Sequence, residues 1–197
     1  MTRPDRAEPK EETMPIAVIG SNNTDLITYI TRLPVEGETI EALDFSIGFG
    51  GKGSNQAVAA ARLGSSVLMV TCVGDDIFGG RTIENYRANG IDASHVKQVH
   101  GTSGVAPIFV DPESRNRIII VKGANSGLLP FDVEGAADAI AQCSLIVCQL
   151  EIRMETTRAA IELGYRLGIP VLLNPAPASP DLDLELAAQC TYIMSFK

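Results

Sequence analysis

The chain has 197 residues, enough for one α/β domain with a substantial core. A content of 45% hydrophobic and 20% charged residues is that of a globular protein and excludes a wholly disordered chain. The formal net charge of −8 argues against a nucleic-acid partner, which needs a basic face, but leaves room for a small phosphate-bearing ligand held by a few local donors.

Residues 1–14, with Pro4, Pro9 and many mixed charges, read as a disordered tail with no secretory h-region. Ile16–Gly20 is a short apolar run closed by glycine and reads as a buried strand. Ser21 to Asp25 reads as a polar turn, and Gly37 to Gly51 as a β-rich, glycine-punctuated segment. The alanine-rich stretch Ser54–Leu63 predicts a helix stopped by Gly64. Val67–Val73 predicts a second buried strand, and Arg81–Asn89 a helix ending at Gly90. Val105–Val110 and Arg117–Val121, joined by the turn Pro112 to Asn116, predict a hairpin. A helix over Phe131–Gln142 precedes a third strand, Ser144–Leu150. Another helix, Glu155–Leu167, precedes a fourth strand at Pro170–Leu173, and Thr191–Met194 predicts a fifth.

Continuous apolar strands alternating with helices indicate a parallel sheet covered on both faces. The segments 37–51 and 103–123 break that rhythm and are expected to form a small antiparallel sheet attached to it. No apolar run approaches the ~20 residues of a transmembrane helix. The four cysteines include no C-x-x-C pair and there are two histidines, so a zinc site is not expected. Cys143 and Cys148 read as buried free thiols, and the chain as a protein of the reducing cytoplasm, or also the nucleus.

In open α/β sheets ligands bind beyond the carboxyl ends of the strands. There the sequence places Asn23 and Asp25, Asp75 and Asp76, Glu151, and Asn174. Paired acceptors of this kind suit a polyhydroxylated ligand, although Asp25 and Asp75 could equally cap turns or helices. The strongest local signal is Gly48 to Asn55, whose glycines open directly into a helix and whose free amides favour an acceptor or anion. It fails the Walker A pattern at Ser46 and Gly53. Gly48, Gly50 and Gly53 satisfy G-x-G-x-x-G, which leaves a nicotinamide-dependent oxidoreductase as a third reading.

These residues resemble the ribokinases of the PfkB carbohydrate kinase family. The resemblance is carried by Ile16 to Ser21 with Asn23 and Asp25, by Gly37-Glu38-Thr39, and by Gly50-Gly51-Lys52-Gly53 with Asn55 and Gln56. It continues through Val73-Gly74-Asp75-Asp76, Phe78-Gly79, Gly123-Ala124-Asn125, Gln149-Leu150-Glu151 and Asn174 to Ala178. It implies a Rossmann-like, three-layer α/β fold over residues 15–197 with a small β-sheet lid that also forms a homodimer contact. It implies ATP-dependent phosphorylation of the 5-hydroxyl of ribose, with Mg²⁺ and K⁺; deoxyribokinase is a close competitor. The sugar-binding positions it implies are Asn23, Thr24, Asp25, Gly51, Lys52, Gly53, Ser54, Asn55 and Glu151. Asp25 would accept from sugar hydroxyls, Asn55 and Glu151 would complete the site, and Lys52 would position the sugar. The family's later N-x-x-E and Gly-Ala-Gly-Asp motifs, with the catalytic base and most of the ATP, Mg²⁺ and K⁺ sites, have no counterpart before Lys197. The expectation is therefore a C-terminally truncated fold with a sugar half-site and little turnover, or a non-catalytic sugar-binding or dimerising fragment.

Overall fold

In the computed structural model residues 14–194 are described. The tail expected over residues 1–14 falls, except for Met14, outside them. In chain order the elements are β1 (Ile16–Ile19), β2 (Asn23–Tyr29), β3 (Asp44–Gly50), α1 (Lys52–Arg62), β4 (Val67–Gly74), α2 (Ile77–Ala88), β5 (Asp92–Val99), β6 (Val105–Val110) and β7 (Asn116–Ile118). A 3₁₀ turn (Gly123–Gly127) follows, then α3 (Pro130–Gly135), α4 (Ala137–Ile140), β8 (Leu145–Gln149), α5 (Met154–Leu167), β9 (Val171–Asn174), α6 (Leu184–Ala187) and β10 (Tyr192–Ile193).

Six strands form one parallel sheet in the order β10-β9-β8-β1-β4-β5. Its inner strands are apolar on both faces because helices cover both. Along β1, Ala17 and Ile19 join the larger core with Ile146, Cys148, Ile161 and Leu173, while Val18 faces the other way onto Ala57, Met69 and Tyr86. Cys72, Cys143 and Cys148 are buried free thiols, and burial pushes the Cys72 thiol up to about 11.

The second sheet has the order β3-β2-β6-β7. It is mixed rather than antiparallel, since β2 pairs with β6 in parallel while β2–β3 and β6–β7 are antiparallel. The expected hairpin at residues 105–121 is present as β6 and β7. The expected turn at Ser21 to Asp25 is shorter than its polarity suggested. Asn23, Thr24 and Asp25 are already strand, because β3 on one side and β6 on the other supply their backbone partners.

Two further departures have local causes. The helix expected over 131–142 breaks at Ala136, after Gly135, a poor helix former, and only short pieces remain on either side. Strand β5 was not apparent in the sequence because it is an edge strand with polar residues interspersed, so it has no continuous apolar run. Helix α5 stops, as expected, at Gly168, whose φ of 68° is the left-handed conformation of a C-terminal cap.

Candidate functional site

The chain winds outward from β1 through β4 to β5 on one side, and later through β8, β9 and β10 on the other. The direction of winding therefore reverses between β1 and β8, where such sheets open a crevice at their carboxyl ends. Ser21 and Asn22 leave β1 on one lip, and Leu150 and Glu151 leave β8 on the other.

Glu151 ties these lips to the glycine-rich segment. Its Oε2 accepts from the Ser21 hydroxyl at 2.6 Å and from the Lys52 backbone N–H at 2.8 Å. The Lys52 ammonium lies 3.5 Å from Oε1, with the Glu151 side chain only 10% exposed. Short, charge-assisted bonds of this kind are the strong ones. The turn into α1 needs its glycines for space. Gly51 has φ 88°, and a Cβ there would sit 2.6 Å from Asn22 Cα. A Cβ on Gly53 would be 2.7 Å from the Ser21 backbone. Removing these side chains lets the helix start press against the end of β1, and the Ser54 N–H then donates to the Ser21 carbonyl at 2.8 Å.

A second set of bonds holds the start of β2. The Asn22 N–H donates to Asn125 Oδ1 at 2.9 Å, and Asn125 Nδ2 returns bonds to the Asn22 carbonyl at 2.7 Å and to Asn23 Oδ1 at 3.0 Å. The Asn22 side chain donates to Thr71 Oγ1 and to the Cys72 carbonyl, so it serves the frame rather than the crevice. Between the two sets lies a cavity of about 140 Å³ lined by Ser21, Asn23, Ile120, Lys122, Asn125, Leu150, Glu151 and Pro177. That is well below the ~300–1,000 Å³ of drug-sized pockets and is the scale of a small polar molecule.

Asp25 lies one strand-repeat beyond Asn23 on the same face of β2, half-buried and facing Gly48 and Gly50. Burial first, and then the nearby Glu151 carboxylate, push its pKa above the ordinary value. Two carboxylates in electrostatic contact form a site rich in hydrogen-bond acceptors.

Not every residue expected at the crevice is found there. Asp75 accepts from the Gly101 N–H and pairs with His100 on the surface, and Asp76 caps α2 and binds Ser103. Thr24 is buried with its side chain on the opposite face of β2 from Asp25. Ser54 and the exposed Asn55 line a separate cleft of about 460 Å³ with Phe49, Val58, Ala59, Arg62 and Asn85. Asn174 ends β9 with Oδ1 buried and unpartnered. Gly48 and Gly50 lie inside β3 rather than in the turn after the first strand, and a Cβ on Gly50 would strike the Asp25 carboxylate. Gly50 makes room for Asp25, so the dinucleotide pattern is coincidental here.

The sequence reading did not single out Ser21, Asn125, Ile120, Lys122 or Pro177 as site residues. Ser21 follows Gly20, and Asn125 ends the Gly123-Ala124-Asn125 motif, which was the available signal; Ile120 and Lys122 come to the site only through the fold of the second sheet.

Comparisons with known proteins identify the family and the fold. Residues 15–195 match the model of the pfkB family carbohydrate kinases. A deoxyribokinase of Salmonella typhimurium is 56% identical over 182 residues, covering 92% of this chain and 60% of its own length. A ribokinase of Mus musculus is 44% identical over 91% of this chain and 56% of its own. The chain thus spans somewhat over half the length of these relatives. Among solved structures, the ribokinase of Arabidopsis thaliana complexed with ribose and ATP superposes with a TM-score of 0.83 at 29% identity, covering 93% of this chain and 60% of that one. The ribokinase of Giardia lamblia gives a TM-score of 0.83 at 33% identity, covering 93% and 58%. With a two-sheet α/β fold, a crevice built by the glycine turn and Glu151, and a family match along nearly its whole described length, the chain belongs to the PfkB family of carbohydrate kinases.

Proposed function

We propose that the 140 Å³ cavity and the adjoining Asp25 bind a pentose, and that the chain carries the sugar-holding part of a kinase that phosphorylates the 5-hydroxyl of D-ribose or 2-deoxy-D-ribose with ATP. The observation that carries this reading is the pair Asp25 and Glu151, two carboxylates at one crevice, with Asp25 raised above its ordinary pKa by burial and by Glu151. Sugar hydroxyls are the donors such a pair lacks. Asn23, Asp25 and Glu151 orient the ring, Gly51 and Gly53 let the helix start pack against Asn22 and Ser21 at its edge, and Lys52 sets the charge balance beside Glu151. The second sheet and the segment that follows β7 then act as a lid, contributing Asn23 and Asp25, and Ile120 and Lys122, to exclude water.

ATP, when bound, supplies the phosphoryl group, and Mg²⁺ neutralises its developing charge. Asn174 fits that side of the site, because its buried Oδ1 lacks a donor at the carboxyl end of the strand next to β8. No described residue is assigned to K⁺. Homodimerisation through the lid is part of the reading. Phe45, Ile47 and Phe49 stand exposed on the face of β3 opposite the one that receives Asp25, and together they make an apolar patch. Among the described residues no helix is long and apolar enough to cross a membrane, and the free thiols fit a reducing cytoplasm.

Titration calorimetry with D-ribose and with 2-deoxy-D-ribose tests the pentose site. Saturable heat with either sugar is expected, and a folded chain that binds neither overturns the reading. Coupled measurement of ADP release with the preferred sugar separates a kinase from a sugar-binding chain without turnover. Sedimentation of the native chain against Ile47→Lys tests the lid interface, and a monomeric native chain would remove it.

A further inference from the structure

We propose that Asp76 is a positioning residue for the pentose site, acting through Ser103 to fix where β2 and the Asn125 turn meet the large sheet. The inference rests on reading that cavity as the pentose site and adds residues that do not touch it. The chain crosses from the large sheet to the lid between β5 and β6, through residues 100–104. A helix cap requires one acceptor oxygen, yet Asp76 uses both of its oxygens. Oδ1 accepts from the Phe78 and Gly79 N–H groups at 3.1 and 3.0 Å, which is the cap, and from the Ser103 hydroxyl at 2.7 Å. Oδ2 accepts from the Ser103 N–H at 2.8 Å. The Ser103 hydroxyl in turn accepts from the Gly74 N–H at 3.0 Å, so the crossover is pinned to the end of β4 and the start of α2 together.

The residues flanking Ser103 carry the pin into the site. The Gly104 carbonyl accepts from the Thr24 N–H at 2.8 Å, between Asn23 and Asp25. Gly104 packs so closely that a Cβ would lie 2.6 Å from the Asn22 carbonyl oxygen and would also meet Asn23 Oδ1 and Asn125 Nδ2. The Thr102 carbonyl accepts from the Ala124 N–H at 2.8 Å, immediately before Asn125. Ser103 is almost wholly buried and takes its side-chain acceptor from Asp76. Asp76 therefore sets the spacing between the lid's sugar acceptors and Glu151 on the large sheet.

Cap and pin can be separated chemically. Asn and Ser cap helices about as well as Asp. Asp76→Asn, however, presents an N–H group to the Ser103 N–H, and Asp76→Ser reaches Ser103 with neither arm. In the unliganded 197-residue chain, hydrogen exchange of residues 22–25 and 102–104 is expected to rise about tenfold in both variants, the scale of a lost charge-assisted bond, while the start of α2 stays protected. The calorimetric Kd for D-ribose is expected to rise about tenfold as well. Ser103→Ala, which leaves the cap untouched, should give the same pattern at smaller amplitude, so the proposal stays testable if the Asp76 variants fold poorly. Exchange that rises only at Phe78 and Gly79, or variants that leave both exchange in 22–25 and ribose affinity unchanged, would overturn it. If the unsubstituted chain binds no ribose, the pentose reading fails while the exchange comparison still decides the pin.

Discussion

Glu151 offers a sharp test of how the crevice is held. Glu151→Ala removes the acceptor of the 2.6 Å bond from Ser21 and of the 2.8 Å bond from the Lys52 N–H, leaving a fully buried hydroxyl and a backbone N–H without an acceptor. Hydrogen bonds to charged groups are worth about 1.5–3 kcal/mol each, so the loss should total about 3–6 kcal/mol, a large share of the ~5–15 kcal/mol that stabilises a typical domain. Glu151→Gln behaves differently, because both bonds fall on one oxygen, Oε2, and an amide oxygen placed there keeps them. It loses the charge facing the Lys52 ammonium at 3.5 Å, a partly exposed contact worth about 0.5–1 kcal/mol, and the charge assistance of the two bonds, which fall to the about 0.5–1.5 kcal/mol of neutral ones. Urea unfolding at pH 7 should thus rank native above Gln above Ala, with about 1–3 kcal/mol between the variants, the worth of the two neutral bonds that Gln keeps. Both variants also remove the charge that, after burial, raises Asp25, so the Asp25 carboxyl titration followed by NMR should move down while remaining raised by burial. Equal destabilisation by Gln and Ala, or an Asp25 titration that does not move, would refute the account of the pair.

Asp25→Asn should stabilise the folded chain at pH 7, since a carboxyl whose folded pKa is raised above its unfolded value loses stability as it ionises. The gain should vanish below about pH 3.5, where Asp25 is protonated in both states, while ribose affinity at pH 7 falls at least about tenfold. Asp111 shows the opposite sign. Burial raises it, but the Arg115 side chain and the Arg115 and Glu113 N–H groups together hold it below the ordinary value, so its contribution is present above about pH 4 and lost as pH falls through the lowered value. Arg115→Ala should accordingly move the acid-unfolding midpoint to higher pH, as circular dichroism would show. Gly51→Ala forces a Cβ into left-handed backbone 2.6 Å from Asn22 Cα and should cost about 3 kcal/mol or more in the same urea assay.

Much of the large sheet was legible because β1, β4, β8 and β9 are buried on both faces and leave unbroken apolar runs in the sequence. The lid was harder to read. Asn23 and Asp25 look like turn residues, and only pairing to β3 and β6, from distant parts of the chain, makes them strand. Within the site, Lys52 and Glu151 stood out through a glycine turn and a carboxylate after a strand, and the structure joins them by 2.8 and 3.5 Å contacts. Asn125 was visible as part of a motif but not as the clasp of Asn22 and Asn23, since nothing local reveals two bonds formed 103 and 102 residues away. Asp76 likewise signals a helix cap, whereas its second oxygen serves a residue 27 positions on.

The central place of β1 has a consequence for how the chain folds. Ile16 pairs with Val67 on one side and with Leu145 on the other, and Ser21 meets its Glu151 partner 130 residues along the chain. Strand β1, the first among the described residues, can therefore complete its hydrogen bonding only after β8 has emerged. Contacts this remote in sequence are slow to close because chain entropy is lost before they form. During synthesis one apolar edge of β1 stays open until then, so folding of the crevice is expected to be a late, chaperone-sensitive step in which the ligand site and the middle of the sheet appear together.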